Sequence, residues 1–529
     1  MRAALLLGPD RRLKAWEYEA LKQAIDAGLD ITTILHCTND QHPPRQAKHA
    51  AYHALTLAGR LRMPMLRNRE VTPLLRHDVE NIYFQSEWEG AWQRIPEHVA
   101  EQLEDHDVVV KLGMNLMKDP ETLPVTHGVL AYNDAAPETH RGRPMGFHEL
   151  SGGEATLRVT VQQLSSDPDS ACVLAEAFSR VVPTSYRATL NNAYETSIPL
   201  LAKAIGALEN QQAVQAATPE SNHRLPTNGQ VVRTLGKMVT ALVGRGLYGA
   251  FREKRWNVAF VPQPFDPENP VQPHFADMQP ITLPEGYTFA ADPCAYHNGR
   301  LYVEVMHGGT GKGEIFAYTD DGQRQRVDLP VGGGHLSYPQ ILEYEGVTYL
   351  FPEMGDVGPP TFFQLDEEQL ASKAEHQLIG LENERVIDPT LIEHEGHWYL
   401  FGGGPDDVGE RLELWVSDSP FGPWTQHPQT PVCLDPRTAR MAGPIIRMNG
   451  QLYRTGQDGS VSYGRGVTIN RIEKLTPTDF EESRIGPFTI KGAFGPHTIL
   501  PTEDGYWLDY YTEQTTPMAG VRRVKGRLK

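Results

Sequence analysis

Five times between residues 291 and 511 the chain repeats one phrase: an apolar run opening beside a proline, a polar bend with glycine, then an aromatic strand. The copies are ADPCAYHNGRLYVEV (291–305), SYPQILEYEGVTYLFPE (337–353), IDPTLIEHEGHWYLFGG (387–403), AGPIIRMNGQLYRTGQD (442–458) and GPHTILPTEDGYWLDYY (495–511). The bend glycines Gly299, Gly346, Gly396, Gly450 and Gly505 lie 47, 50, 54 and 55 residues apart. A period near fifty residues with several strands per unit predicts a β-propeller, and five copies predict five blades. In each copy the first strand should line the central channel. The segment RWNVAFV (255–261) should close the ring by joining the last blade.

The stretch before the repeat has a different pattern. AALLL (3–7), DITTILHC (30–37), DVVVKLG (107–113) and HGVLAYN (127–133) read as strands. The third is continuously apolar, as buried parallel strands are. RLKAWEYEALKQAIDA (12–27) has helical spacing. Strands alternating with helices predict a doubly wound α/β sheet, whose ligands sit beyond the carboxyl ends of the strands. The loop from Asn133 to His148 follows a strand and is the expected site region. Two helical stretches follow, at 186–208 and 230–251. The fold class expected is therefore α/β followed by an all-β five-bladed propeller. The domains are 1–215 (α/β), 216–254 (helical linker) and 255–529 (propeller).

Net charge is −18, with 67 acidic against 49 basic residues, which argues against nucleic acid as a partner. No apolar run approaches the roughly 18 residues of a membrane span. MRAALLLGPD has too short an apolar run for a signal peptide. Cys37, Cys172, Cys294 and Cys433 are widely spaced and form no CxxC, so they read as reduced thiols of a cytoplasmic protein. There is no zinc pattern, P-loop or GxGxxG, and no metal is expected.

In a propeller, the starts of the inner strands converge on one channel mouth. The repeat brings Asp292, Tyr338, Asp388, Gly443 and Pro496 to that level, with Glu353 and Asp458 after the second strands of their blades. Converging carboxylates shift one another's pKa values and suit acid–base work. An Asp before Pro also suits a turn. His497 follows Pro496 and could act as a base or donate to a sugar hydroxyl. Arg437, Arg440 and Arg454 cluster near this motif, where arginine forks would match phosphate; pairing with Asp435, Asp458 and Glu353 is the structural alternative. The catalytic candidates are Asp292, Asp388, Glu353, Asp458 and His497. The substrate-binding candidates are Tyr338, Arg437, Arg440, Arg454 and Gln457.

The Asp-Pro blade pattern resembles the propellers of family 43 glycoside hydrolases. That resemblance implies Asp292 as base and Asp388 as the group that tunes and orients. It puts Ala442, in RMAGP, where the general acid would be. Hydrolysis ordinarily needs two carboxyl groups across the scissile bond. HLSYPQILEYEGVTYLFPE, SPFGPWTQHPQTPV, DPRTARMAGPIIRMNGQLYRTGQD and YGRGVTINRIEKLT resemble the N-terminal module of plant glucosamine inositolphosphorylceramide transferases over roughly residues 255–520. This implies a role in glycan or glycoconjugate assembly.

HGVLAYNDAAPETHRGRPMGFHEL (127–150) resembles the active-site segment of the Rossmann-like formyltransferase fold. Arg141-Gly142 and Asp169 match, while Ala131 and Asn133 replace the catalytic Asn and His, so folate chemistry is not expected. Asn133, Asp134, His140 and Arg141 remain as a polar ligand-binding loop. The reading that follows is a carbohydrate-active transferase moving a sugar from a phosphate-linked donor such as a nucleotide-sugar. Its alternatives are a glycan-binding scaffold, or a formyltransferase-like enzyme with altered chemistry.

Overall fold

The computed structural model describes all residues except 40–45, 91, 134–144, 167–170, 211–214, 217–224, 356, 406–408 and 528–529. The chain forms two compact units, Met1–Val243 and Gly244–Lys529. The helix Asn228–Phe251 runs through the division between them.

The first unit is built on an eight-stranded sheet. Its middle is parallel: Val129–Asn133, Val108–Lys111, Arg2–Leu7, Asp30–Cys37 and Glu80–Phe84 lie side by side in that order. Thr156–Gln163, Cys172–Arg180 and Gln215–Ala216 extend it antiparallel at one edge. Ala3 to Leu7 are buried on both faces, which is why that strand is apolar without alternation. The helix Ala15–Asp26 starts where Glu17 Oε2 accepts from the backbone N–H of Lys14 at 2.6 Å, half of a capping box. It buries Trp16, Ala20, Leu21 and Ala24.

The second unit is five sheets of four strand positions each. Blade one is Tyr287–His297, Arg300–His307, Gly313–Thr319 and Arg324–Arg326. Blade two is Ser337–Tyr344, Val347–Glu353, Thr361–Asp366 and Ala371–Gln377. Blade three is Ile387–His394, His397–Gly403, Glu413–Ser417 and Thr425–Gln426. In blade four the inner strand is split into Arg440–Met441 and Ile446–Met448, both paired to Gln451–Gln457, with Val467–Leu475 and Phe480–Phe488 outside. Blade five joins Ile499–Thr502 and Gly505–Thr515 to Arg252–Val261 and Gln279–Pro280. The segment expected to close the ring does so, pairing antiparallel from Arg252↔Thr515 to Val261↔Tyr506.

Each interblade seam has its own apolar cluster. Tyr302 meets Leu350 and Phe363 between blades one and two, and Phe351 meets Leu400 and Trp415 between two and three. Phe401 meets Leu452 and Phe480, then Tyr453 meets Tyr506 and Leu508. Val258 and Leu500 meet Val303 and Phe316 to complete the circle. The bends are tight hairpin turns in four blades. Asn298-Gly299, Glu345-Gly346, Glu395-Gly396 and Asn449-Gly450 all have positive φ at both residues. That geometry matches the twist of the strands it joins, and explains the recurrent glycine.

Candidate functional site

The Asp-Pro phrase is a β-bulge. In blade one, Ala291 pairs with Glu304 and the ladder resumes only at Ala295 with Tyr302. In blades two and three the same break falls between Ser337 and Gln340, and between Ile387 and Thr390. The first bulged residues, Asp292, Tyr338 and Asp388, have φ of 50°, 47° and 48°. Left-handed backbone at a non-glycine residue costs on the order of 1–3 kcal/mol and persists where the surroundings enforce it. A bulge re-aims a side chain. Here it buries all three side chains together at the channel. In blade four the equivalent position is Gly443, φ 121°, whose Cβ would lie 2.2 Å from Ile499 O.

Asp292 belongs to a buried triad. Its Oδ1 is 3.3 Å from His497 Nε2, while His497 Nδ1 is 2.5 Å from Asp509 Oδ2. Thr498 Oγ1 donates to Asp292 Oδ1 at 2.9 Å. Asp509 accepts from the backbone N–H groups of Asp292, His497 and Thr498. Asp509 thus holds both the imidazole and the strand segments that carry the other two groups. These three side chains could also offer a metal one ligand atom each, all within 4.8 Å of one another.

A second constellation surrounds Asp388. Arg440 Nε donates to its Oδ2 at 2.5 Å and Gln457 Nε2 to the same oxygen at 3.0 Å. Its backbone N–H donates to Glu353 Oε2 at 3.1 Å. The Arg440 guanidinium lies 5.2 Å from the centre of the Tyr463 ring. Trp256 packs 4.5 Å from His497, with Tyr463 5.1 Å from the same imidazole, so aromatic faces border the acids.

Electrostatics separate the roles of these groups. Burial first, then neighbouring carboxylates partly offset by His497, push Asp292 up to about 6. Burial and the adjoining Asp292 raise Glu304 well above the usual carboxylate range. Burial and Asp388 do the same for Glu353. Burial opposes the charge on His497, but Asp509 and Asp292 outweigh it and raise its pKa. The channel therefore holds a carboxyl raised to about 6 together with two carboxyls raised well above the usual range, a separation of the kind acid–base chemistry uses.

Asp292, Asp388, Glu353, His497, Arg440 and Gln457 are drawn into these two connected groups. Other expected residues have different places. Tyr338 donates its hydroxyl to Gly443 O and accepts from Gly443 N, tying blade two to blade four. Arg454 is fully buried and spends its guanidinium on Glu482 and Thr438 O, so it presents no fork to a phosphate. Arg437 pairs with Asp435. Asp458 accepts from Ser460 N and its hydroxyl, closing a turn. Asn133 ends its strand opposite Thr160, whereas Asp134, His140, Arg141 and Asp169 lie outside the described residues.

Glu304, Asp509, Thr498, Trp256 and Tyr463 were not anticipated. The signal for the first two was present: they lie within the second strands of blades one and five, as Glu353 ends that of blade two. The bulge sizes differ, so the offset from the bend glycine is not constant, and spacing alone hides the equivalence. Trp256 and Tyr463 come from the closing strand and an outer loop, beyond any repeat. A separate groove of about 830 Å³, lined by Phe260, Tyr296, Tyr318 and Trp507 among others, shares no residue with the channel cluster.

Residues 284–493 match the family described as glucosamine inositolphosphorylceramide transferase 1, N-terminal. A protein named glucosamine inositolphosphorylceramide transferase 1 from Oryza sativa subsp. japonica is 33% identical over 207 residues, which is 37% of this chain and 27% of that protein. Its namesake from Arabidopsis thaliana is 29% identical over 224 residues, 39% of this chain and 28% of that protein. The chain thus spans about a quarter of the length of the curated relatives it matches. Among solved structures, a thermostable family-43 glycoside hydrolase aligns with a TM-score of 0.30 at 15% identity, over 38% of this chain and 75% of its own. A GH43_1 enzyme from Xanthomonas citri complexed with xylotriose aligns with a TM-score of 0.29 at 17% identity, over 39% and 78%.

Proposed function

We propose that the propeller channel is a saccharide site that transfers a glycosyl group from a phosphate-linked donor to a hydroxyl of a glycan or glycoconjugate. The observation that carries this reading is the buried group of Asp292, raised to about 6, and Glu353, raised well above the usual carboxylate range, around Asp388 and His497, with Trp256 and Tyr463 beside the imidazole. The descriptions of the family matched over residues 284–493 and of the similar proteins support the transferase class.

In this mechanism the ionised Asp292 takes the proton of the acceptor hydroxyl as its oxygen bonds to the anomeric carbon. The bond from that carbon to the donor's phosphate oxygen breaks, and the phosphate leaves with the electron pair. Glu353 supplies a proton to the leaving oxygen. His497, fixed by Asp509, holds Asp292 in place and stabilises its charge. Arg440 orients Asp388 and is the arginine of the channel group, so it is the residue to meet donor phosphate. Gln457 Oε1 is buried without a hydrogen-bond partner among the described residues, and would accept from a sugar hydroxyl.

One observation favours a second reading, a glycan-binding module without catalysis. Ala442, fully buried, stands where the resemblance of the blade pattern implies a general acid. The two readings part at Asp292→Asn. Transfer requires turnover to fall by a factor of about 10²–10⁴ while the fold is kept. The binding reading requires saccharide affinity to survive with no product from either protein. A thermal-shift screen of nucleotide-sugars, phosphosugars and folates identifies the donor; unchanged turnover in Asp292→Asn sinks the transfer mechanism.

A further inference from the structure

The groove of about 830 Å³ at the seam of blades one and five takes no part in the channel chemistry. Its lining lies wholly within the unit Gly244–Lys529. It opens at the end of the blades that carries the bends. Tyr296 just precedes the turn at Asn298-Gly299, and Asp504 adjoins Gly505, whereas Asp292 and His497 lie toward the other end of the inner strands. Its volume falls in the range of sites that take small molecules.

The floor is apolar: Leu301 and Leu500 are buried there and belong to the cluster that closes the ring. Phe260 and Trp507 wall one part, with ring centres 5.1 Å apart. Tyr296 stands at the rim, 39% exposed. The two phenols spend their hydroxyls on the protein. Tyr296 donates to Asp320 at 2.8 Å, and Tyr318 to Thr282 O at 3.2 Å. Ring surface is what they leave to the groove.

Charge is lopsided. Among the described lining, Asp320, Glu503 and Asp504 stand against a single cation, Arg324. None of the three acids is in an ion pair among the described residues, and the side chains of Glu503 and Asp504 accept no hydrogen bond there. Arg324 reaches toward Thr282 O at 3.5 Å instead. The acids come from two blades and converge on one ring: partial burial, then Asp320 and Asp504, raise the Tyr296 phenol above its usual range. Aromatic faces are negative, and uncompensated carboxylates add to that potential. Such a lining repels anions and leaves a neutral ligand without a partner for the acids. It attracts a cation, and the rings favour one that is weakly hydrated.

We propose that this groove binds a small organic cation with a methylated ammonium group, its apolar substituents against Tyr296, Phe260 and Trp507 and its charge toward Asp320 and Asp504. A primary ammonium is compact and strongly hydrated, and gains less from ring faces. The site is independent of the transfer chemistry proposed for the channel.

The test is calorimetric titration of the full chain with choline and with its uncharged isostere, in which a tert-butyl group replaces the trimethylammonium. Choline should bind with a Kd of roughly 10 mM or tighter, at least tenfold tighter than the isostere, and more weakly as salt rises. Tyr296→Ala should weaken choline binding at least fivefold, and Asp320→Asn with Asp504→Asn at least tenfold. These three side chains are exposed, so the variants should keep the melting temperature of the parent chain. Absence of choline binding up to about 50 mM, equal affinity for the isostere, or unchanged affinity in both variants overturns the proposal. So does tighter binding of arginine amide than of choline, which would make this a site for basic peptide side chains. Binding of cellobiose without binding of choline would make it a neutral saccharide site, and overturns it equally.

Discussion

Asp292 is the residue on which most of the proposed chemistry turns. Its folded carboxyl titrates at about 6 against an ordinary value of 3.8, so the folded chain holds that proton more tightly than the unfolded one. The associated stability is complete below about pH 4 and is lost as pH rises through 6. Asp292→Asn should therefore raise stability at pH 8 by on the order of 1–3 kcal/mol, read as a higher melting temperature, and the gain should vanish below about pH 4. The same carboxyl should place an acid limb near pH 6 on the transfer rate, measured as kcat/KM against pH. Glu353 is raised further out of the usual carboxylate range by burial and Asp388, so Glu353→Gln should remove the alkaline limb and cut turnover while leaving saccharide affinity nearly intact. Asp292, Asp388 and His497 were legible because the repeat numbers them. Asp509, which holds His497, was hidden: a single acid in GYWLDYY has no signature until the strand's pairing partner is known.

At the scale of the element, the legible signal was the bend. Paired left-handed residues at Asn-Gly and Glu-Gly turns leave a fixed mark in sequence, and the period followed from them. The bulge left a fainter mark. Asp-Pro and Tyr-Pro read as turn starters, whereas the ladder shows extra residues set into the inner strand. Glycine takes over that role in blade four. Gly443→Ala would press a Cβ to 2.2 Å from Ile499 O at a φ of 121°, and should cost about 2–4 kcal/mol in urea unfolding. A cost below 1 kcal/mol would mean that the inner strand shifts freely, contrary to the packing between blades four and five. The three arginines close in sequence have separate partners in the fold. Arg454 turns into the blade toward Glu482, Arg437 pairs with Asp435, and Arg440 donates to Asp388.

At the scale of the whole molecule, the change from alternating strands and helices to short aromatic strands after Trp256 announced two bodies. Their division at Val243/Gly244 falls inside a helix, which composition could not reveal because a helix keeps its pattern across a boundary. A fragment of residues 226–529 should melt in one cooperative transition and keep the saccharide response of the full chain, read by thermal shift. A fragment starting at residue 262 should fail to form a cooperative unit, since blade five would lose Arg252–Val261. Equal cooperativity in both would show that the ring does not depend on that strand.

The closing strand also sets a schedule for synthesis. Arg252 is made 263 residues before Thr515, its partner across the seam. At 5–20 residues per second the strand waits roughly 13–50 seconds on the ribosome with its edge unpaired. During that interval the nascent chain carries an open strand edge that invites pairing with a neighbour. Chaperone dependence of this protein should accordingly concentrate in the period before the last hairpin emerges, and a stall anywhere short of residue 515 should yield aggregates in place of a partly built ring.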